Sequence, residues 1–163
     1  MFSQIMLSSE WGVDFSSEML ALARAKPPQV RLVQADLLGC WPAELGRFDC
    51  IVLAYVLHEF DLTEKISLLR RLADHHLAEH GRIVIGDIAF PTVQAREQAH
   101  QRWVDQWDED EHYWAADEAI AACERAGLDA AYTQVSSCGG AFVIEPSIRK
   151  NPRSSAFIRV QQS

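Results

Sequence analysis

The sequence predicts an α/β domain with a mainly parallel sheet. Segments with helical periodicity alternate with short extended segments along most of the chain, a pattern typical of strands connected by helices. The extended segment Phe48–Ala54 is apolar on both faces after Asp49, as expected of a central parallel strand covered on both sides. With 163 residues, the chain is long enough for one domain and too short for two ordinary ones.

Two short strands and a helix are predicted before this central strand. Trp11–Asp14 has the pattern of a strand end, and Ser16 is placed to cap the helix that follows. Residues 27 and 28 are both proline and stop that helix, whose apolar face is formed by Met19, Leu22 and Ala23. Residues 30–34 form the second strand, which leads directly into Asp36.

A second helix and a fourth strand follow the central strand. Asp61 and Glu64 have the spacing of a capping box, which marks the start of the helix. Its apolar residues recur at helical intervals: Leu62, Ile66, Leu69, Ala73 and Leu77. Gly81 is expected to end this helix, and residues 82–86 then form the fourth strand.

The remaining segments predict two helices and a hairpin. Residues 92–107 have a helical pattern, an acidic and aromatic loop covers residues 108–114, and a second helix covers residues 117–126. Residues 131–136 and 141–145 flank Cys138-Gly139-Gly140, which predicts an antiparallel hairpin with a glycine turn. We therefore expect a single domain over residues 1–146 and a polar tail or edge segment over residues 147–163.

Composition and charge exclude several kinds of partner. Fifteen Lys and Arg against 23 Asp and Glu give a net charge of −8, so neither a nucleic acid nor an anionic membrane surface is an expected partner.

The first ten residues lack the positive charge of a secretory signal. The four cysteines include no C-x-x-C pair, which favours reduced thiols in a cytoplasmic protein over disulfides or zinc. The histidines at 75, 76 and 80 are attributed to a helix end and not to a metal site.

Two carboxylates end successive predicted strands. Asp14 follows the first strand, where a carboxylate can accept two hydrogen bonds from a ribose diol, although it is also placed to serve the start of the next helix. Asp36 follows the second strand, where it or the neighbouring amide can bind adenine, although an ordinary turn is the favoured explanation of this short motif taken alone. Because both lie at the ends of successive strands, one adenosine could contact the two of them.

A third segment leaves the central strand at the same edge. Tyr55 and the backbone of residues 53–60 could line a reacting centre, and His58 is a candidate catalytic side chain. The alternative is a buried connection in which Tyr55 and His58 only satisfy hydrogen bonds. The aromatic residues near 100–114 predict either a substrate lid or a packed helix, and the acidic run 108–111 is expected to be a solvated loop.

In their order and spacing, these segments resemble class I S-adenosylmethionine (SAM)-dependent methyltransferases over residues 12–145. The resemblance is carried by GVDFSSEML at 12–20, VQADL at 33–37, FDCIV at 48–52 with VLH at 56–58, and the segment from Leu77 through Gly81 to Asp87. It implies a doubly wound, Rossmann-like sheet with SAM as cofactor. It also implies that Asp14 binds the ribose, that Phe15 and Met19 pack on the adenosine, that Asp36 and Leu37 contact adenine, and that Ala54 and Tyr55 lie near the methionine part.

The resemblance departs from the family at the start of the chain. The family's central first strand ends in a glycine-rich turn of the form D-x-G-x-G-x-G, and nothing before Gly12 matches it. Residues 4–7 could form a strand, but too few residues separate them from Trp11 for a parallel crossover. We therefore expect a sheet that lacks the family's first strand and that gains from pairing with a second copy in a homodimer.

Three functions follow from these observations. The first is SAM-dependent methyl transfer to a small-molecule nucleophile, and the second is a non-catalytic or truncated remnant of the fold that acts through protein contacts. The third is a nicotinamide-dependent oxidoreductase, which also places an acid after its second strand; the terminal hairpin favours the methyltransferase over it.

Overall fold

The computed structural model describes residues 4–7, 11–25, 30–39, 41–42 and 45–147, with only the backbone described for residues 4–7. The strands are β1 Gln4–Leu7, β2 Trp11–Asp14, β3 Arg31–Gln34, β4 Phe48–Ala54, β5 Leu77–Phe90, β6 Trp114–Ala115, β7 Leu128–Gln134 and β8 Gly139–Pro146. The α-helices are α1 Ser17–Arg24, α2 Leu62–His75, α3 Val93–Arg102 and α4 Ala116–Arg125, with 3-10 turns at Leu57–Glu59 and Val104–Gln106.

The strands form one sheet in the order β3-β2-β1-β4-β5-β8-β7, with β6 paired to the end of β5. The pairs β2–β3, β4–β5 and β5–β6 are parallel, whereas β1 and β8 are antiparallel to both of their neighbours. Six of the eight described strands therefore point in one direction, and only β1 and β8 point in the other. This is the α/β fold that the sequence predicts, including its terminal antiparallel hairpin.

The central position of the sheet is filled by β1, which corrects the expectation of a missing strand. Its residues pair on one side with Trp11–Val13 of β2 and on the other side with residues 51–54 of β4, antiparallel in both cases. Because a hairpin needs only a short connection, three residues between Leu7 and Trp11 are sufficient for this topology, while a parallel crossover is not possible. The chain thus completes its sheet with a strand of reversed direction.

Two helices begin at the caps that the sequence predicts. The Ser16 side chain accepts a hydrogen bond of 3.2 Å from the Met19 amide at the start of α1. Asp61 and Glu64 form the predicted capping box at the start of α2, with bonds of 2.8 Å and 3.0 Å. Such caps satisfy amides that have no partner within the helix.

The buried faces of α1 and α2 differ from the predicted ones. In α1 the buried residue is Leu20, while Leu22 is 52% exposed. In α2 the buried face is rotated from the predicted one and consists of Lys65, Leu68, Leu69, Leu72 and Ala73. This helix also ends at His75 and not at Gly81, because Leu77 already pairs with Phe48 in the sheet and is buried.

The hairpin β7–β8 is longer than predicted and its glycines have another role. Gly139 and Gly140 are the first residues of β8, and the turn lies before them. A Cβ atom on Gly140 would overlap the ring of Tyr132 on the neighbouring strand. Gly140 is therefore explained by the close approach of an aromatic ring and not by turn geometry.

The core lies where β4 and β5 meet α2 and α4. It includes side chains that are completely enclosed, among them Ile51, Leu53, Leu69, Ile83 and Phe142. No helix within the described ranges combines the length and apolar character needed to cross a membrane. The tail predicted over residues 147–163 lies outside the described residues except for Ser147, whose amide donates to the Gly127 carbonyl at 3.1 Å.

Candidate functional site

The six strands of common direction end at one edge of the sheet, which we call the carboxyl edge. Ile5 of β1 pairs with Val13 on one side and with Leu53 on the other. The next residues, Asp14 and Ala54, therefore stand level with each other at the carboxyl edge. They are separated by two strand spacings, about 10 Å.

Asp14 is buried at the end of β2, with 9% of its surface exposed. Its carboxylate Oδ1 accepts a 2.8 Å hydrogen bond from the Ser16 amide, and its carbonyl accepts one of 3.1 Å from the Ala35 amide. The first bond is the helix-start role predicted as an alternative, and it engages Oδ1 of the carboxylate. Phe15, the next residue, is 59% exposed, and Met19 on α1 is half-buried.

Asp36 lies beyond the end of β3 and is exposed. Its Oδ1 accepts a 3.0 Å bond from the Leu38 amide, and its carbonyl accepts one from the Gly39 amide, which together make a turn. Leu37 packs into the core with 4% exposure. A ligand at this position would therefore meet the backbone of Leu37 and not its side chain.

Tyr55 marks the end of β4 with an unusual backbone conformation. Its φ angle is 51°, in the left-handed region that disfavours residues with a side chain. The Tyr55 amide donates a 2.8 Å bond to the Gly86 carbonyl of β5, and its side chain is 46% exposed. Strained conformations of this kind concentrate at functional sites.

His58 is enclosed between two carboxylates. Its Nδ1 lies 2.6 Å from Asp87 Oδ1, and its Nε2 lies 3.6 Å from Glu111 Oε1. The hydrogen bond to Asp87 is the largest influence and raises the pKa of His58, while burial opposes it. Because the raised pKa favours the imidazolium and both nitrogens face carboxylates, this geometry suits a residue that ties segments together better than a general base.

Asp87 is the centre of this buried cluster, and the sequence interpretation assigned it no role. Besides His58, it accepts bonds from the Trp114 indole at 3.2 Å and from the Ile88 amide at 2.9 Å. A signal for it exists in the sequence, because Asp87 follows Ile83 and Ile85 at alternate positions of one strand and so shares their buried face. A charged residue on a buried face requires a partner.

Residues 100–113 contain a packed cluster of rings around Trp107, and we call this segment the cover. The Trp107 ring lies 4.8 Å from the His100 ring, 4.6 Å from the Tyr113 ring and 6.1 Å from the Phe90 ring, measured between centroids. The acidic run 108–111 was predicted to be a solvated loop, and Asp108, Glu109 and Asp110 are exposed in a segment without helix or strand. Glu111 differs, because it reaches His58, and the adjacent His112 amide donates to the His58 carbonyl at 2.6 Å. The cover is thus tied to the carboxyl edge at His58.

The histidines near the end of α2 and the cysteines were considered in the sequence as possible metal ligands. Within the described ranges, no group of three or more His, Cys, Asp or Glu residues is arranged to hold a metal ion. His76 contacts the Gly46 carbonyl at 3.1 Å, and His80 is exposed beyond the end of α2. Cys50, Cys123 and Cys138 are free thiols.

Comparisons with known proteins are consistent with one family. Residues 5–81 match the family described as "Methyltransferase domain". An uncharacterized methyltransferase of Alkaliphilus oremlandii is 34% identical over 83 residues, which are 51% of this chain and 37% of that protein. The 2-phytyl-1,4-naphtoquinone methyltransferase of Thermosynechococcus vestitus is 27% identical over 154 residues, which are 92% of this chain and 61% of that protein.

A solved structure has the same fold. The DhpI–SAH complex superposes on this chain with a TM-score of 0.66 at 17% sequence identity. The superposition covers 85% of this chain and 66% of the DhpI chain. This chain therefore spans less than two thirds of the length of each protein named here.

Proposed function

We propose that this chain is a class I SAM-dependent methyltransferase that binds SAM at the carboxyl edge and transfers the methyl group to a small-molecule nucleophile. The family match over residues 5–81 and the shared fold support this proposal. The observation that carries the proposal is the placement of Asp14. A buried carboxylate at the tip of β2 stands level with the tip of β4, across a single intervening strand. Ligands of open α/β sheets bind at this edge.

The described residues fit the nucleoside half of the cofactor. Asp14 offers carboxylate oxygens to the two ribose hydroxyls, since a carboxylate has acceptor sites for several donors. The exposed Phe15 offers an aromatic face beside it, and the turn at Asp36 offers polar groups at the tip of the adjacent strand. These three residues, with Met19 and the backbone of Leu37, are proposed to hold the adenosine.

The methionine half has a different setting from that of the family. Because β1 runs in the reverse direction, its carboxyl end at Leu7 faces the opposite edge of the sheet. No glycine-rich turn at the carboxyl edge is contributed by the described part of β1. We propose that the tip of β4, at Ala54 and Tyr55, contacts this half of the cofactor.

The bound cofactor supplies a methyl group on a sulfonium for in-line displacement, so the protein contributes mainly position and exclusion of water. Tyr55 is proposed to orient the acceptor from the strained tip of β4. His58 is proposed to act as a positioning residue, because it joins the segment after β4 to Asp87 and to the cover at Glu111. In this role it maintains the enclosure and carries no proton to or from the acceptor.

The reversed β1 favours a second candidate function. A sheet that is completed by a reversed strand does not need a bound cofactor for its stability. A chain of this kind that binds no cofactor would be non-catalytic and would act through contacts with other proteins. Affinity for the cofactor separates the two candidates.

The test is calorimetric titration of the full chain with S-adenosylhomocysteine. We expect micromolar binding that Asp14→Asn weakens at least tenfold, because asparagine has one acceptor oxygen and presents an NH2 donor where the carboxylate has its second acceptor, and Oδ1 is already bonded to the Ser16 amide. The matched control is Asp49→Asn, which removes an exposed carboxylate near the start of β4 at the opposite edge and is expected to leave binding unchanged. Absence of heat from a folded wild-type chain contradicts the enzyme proposal and supports the second candidate.

A further inference from the structure

A cavity of about 240 Å³ lies on one side of the sheet, between α2, α3, α4 and the segment that leads into β6. Lys65 of α2 and Arg96 of α3 line it from two directions, and Glu118 of α4 completes its charged groups. Trp114 separates this cavity from Asp87, because its ring faces Lys65 while its indole nitrogen donates to Asp87. The cavity is therefore distinct from the proposed cofactor site at the tips of β2 and β4.

Lys65 is almost completely enclosed, with 2% of its surface exposed. Its Nζ donates a hydrogen bond to the His112 carbonyl and lies 4.4 Å from the centroid of the Trp114 ring. An ammonium group has three N–H donors. Among the described residues, the His112 carbonyl accepts one hydrogen bond from it, and the Trp114 ring face lies next to it. A buried cation of this kind has capacity for a further acceptor from the cavity.

Arg96 approaches the same space with part of its guanidinium engaged. Its Nη1 donates to the Tyr113 carbonyl at 2.9 Å and to Glu118 Oε2 at 3.3 Å. A guanidinium has five donors in a fixed fork, so a planar oxyanion can be bound through the others. Two cations against one carboxylate leave this cavity positive within a chain whose net charge is −8.

We propose that this cavity binds a small oxyanion, a carboxylate or phosphate group, between Lys65 and Arg96. The volume is below the range of roughly 300–1,000 Å³ that is typical of sites for drug-sized ligands, so the group is expected to have few heavy atoms. The site needs neither SAM nor methyl transfer, and it goes beyond the function proposed above.

The pH dependence of binding has a defined sign. The pKa of Lys65 is lowered to about 8, chiefly by burial and also by Arg96, while Asp87, Asp61 and Glu118 partly oppose this shift. An anion interacts with the charged form of Lys65 and is lost when that form is lost. Affinity should therefore fall as the pH rises from 7 through about 8.

The test follows the indole N–H resonance of Trp114 by NMR while sodium acetate or sodium phosphate is added to the full chain at constant ionic strength. Sodium chloride serves as the control, and Trp114→Phe assigns the resonance. We expect saturable shifts with acetate, phosphate or both, and the two titrations show which oxyanion is preferred. Equal, unsaturated shifts with chloride would overturn the proposal.

Three variants make the test specific to the cavity. Arg96→Gln is expected to weaken binding of the oxyanion about tenfold, because it removes a cation from the cavity. Glu118→Gln is expected to strengthen binding, because it removes the negative charge of the Glu118 carboxylate. Arg102→Gln, on the exposed end of α3, is the matched control and should bind like wild type. A structural role alone would weaken binding in both cavity variants, and that result, or equal binding by Arg96→Gln and Arg102→Gln, contradicts the proposal.

Discussion

Replacement of Asp87 with asparagine is expected to destabilise the protein in a pH-dependent way. The Asp87 side chain is completely enclosed, and its carboxylate accepts bonds from His58, Trp114 and the Ile88 amide. Asparagine has nearly the same shape but no charge, and its single carbonyl oxygen cannot serve all three donors. The variant therefore leaves the His58 imidazolium buried without its closest counter-charge.

The size of the effect follows from the burial of the pair. Removal of one partner from a buried ion pair typically costs about 3–5 kcal/mol. For a chain of this length, each kcal/mol lowers Tm by about 2–4 °C, so the expected loss at pH 6 is roughly 6–20 °C.

The dependence on pH has a sign that can be checked. In the wild type the pKa of His58 is raised above 6.5, so its contribution to stability is complete below pH 6.5 and is lost as the pH rises through the folded-state pKa. In the variant, burial acts without Asp87 and lowers the pKa of His58. The deficit in stability should therefore be largest below pH 6.5 and should shrink towards pH 8.5.

The assay is urea and thermal unfolding followed by circular dichroism from pH 5.5 to 8.5, with an NMR titration of the His58 ring. Asp105→Asn removes an exposed carboxylate and serves as the control, with an expected change within about 0.5 kcal/mol. If Asp87→Asn behaves like this control at every pH, or if the His58 pKa does not fall, the buried pair does not have the role described here.

Three further changes are expected to alter stability. Gly140→Ala should cost about 1–3 kcal/mol, because its Cβ would overlap the Tyr132 ring, and urea unfolding measures the loss. Lys65→Met should remove about 2 kcal/mol of stability gained between pH 8 and 10, measured as the difference in unfolding free energy between wild type and variant, since the pKa of Lys65 is about 8 when folded and ordinary when unfolded. Asp61→Ala should cost about 1 kcal/mol by removing the cap of α2, as measured by thermal unfolding.

Each of these changes has a contrasting outcome. Gly86→Ala is the control for the hairpin variant, because a Cβ at that position meets no atom within 4 Å, and equal losses in the two variants would refute the steric argument. If the difference in stability between wild type and Lys65→Met stays constant between pH 8 and 10, the pKa of Lys65 is not lowered as described. The comparison cancels the buried Cys123 thiol, whose raised pKa of about 11 acts in the opposite direction. Unchanged unfolding of Asp61→Ala would mean that the capping box does not limit the stability of α2.

Local signals predicted the caps and strand ends because their causes lie within a few residues. Ser16 and Asp61 cap the predicted helices through bonds to amides three residues away, and Asp14 lies at the strand end where the sequence pattern places it. The terminal hairpin also follows from adjacent segments. In each case the interaction partner is close in the sequence.

Features that depend on distant partners were not predicted. The predicted apolar face of α2 did not include Lys65, and only the Trp114 ring and the His112 carbonyl, nearly fifty residues away, explain its burial. The His58–Asp87 hydrogen bond likewise joins the turn after β4 to β5, and the two residues are far apart in the sequence. The pairing of β1 with β4 has the same origin, because the partner strand lies far along the chain, whereas the short connection from Leu7 to Trp11 by itself excludes a parallel crossover.

The reversed β1 has a practical consequence for work with this protein. Gln4 pairs with Ala54, so any polypeptide fused ahead of β1 begins at the carboxyl edge, beside a residue proposed to contact the methionine half of the cofactor. Pro146, the last residue of β8, pairs with Leu128 at the opposite edge of the sheet. Affinity tags and fluorescent reporters placed ahead of β1 are therefore expected to interfere with cofactor binding.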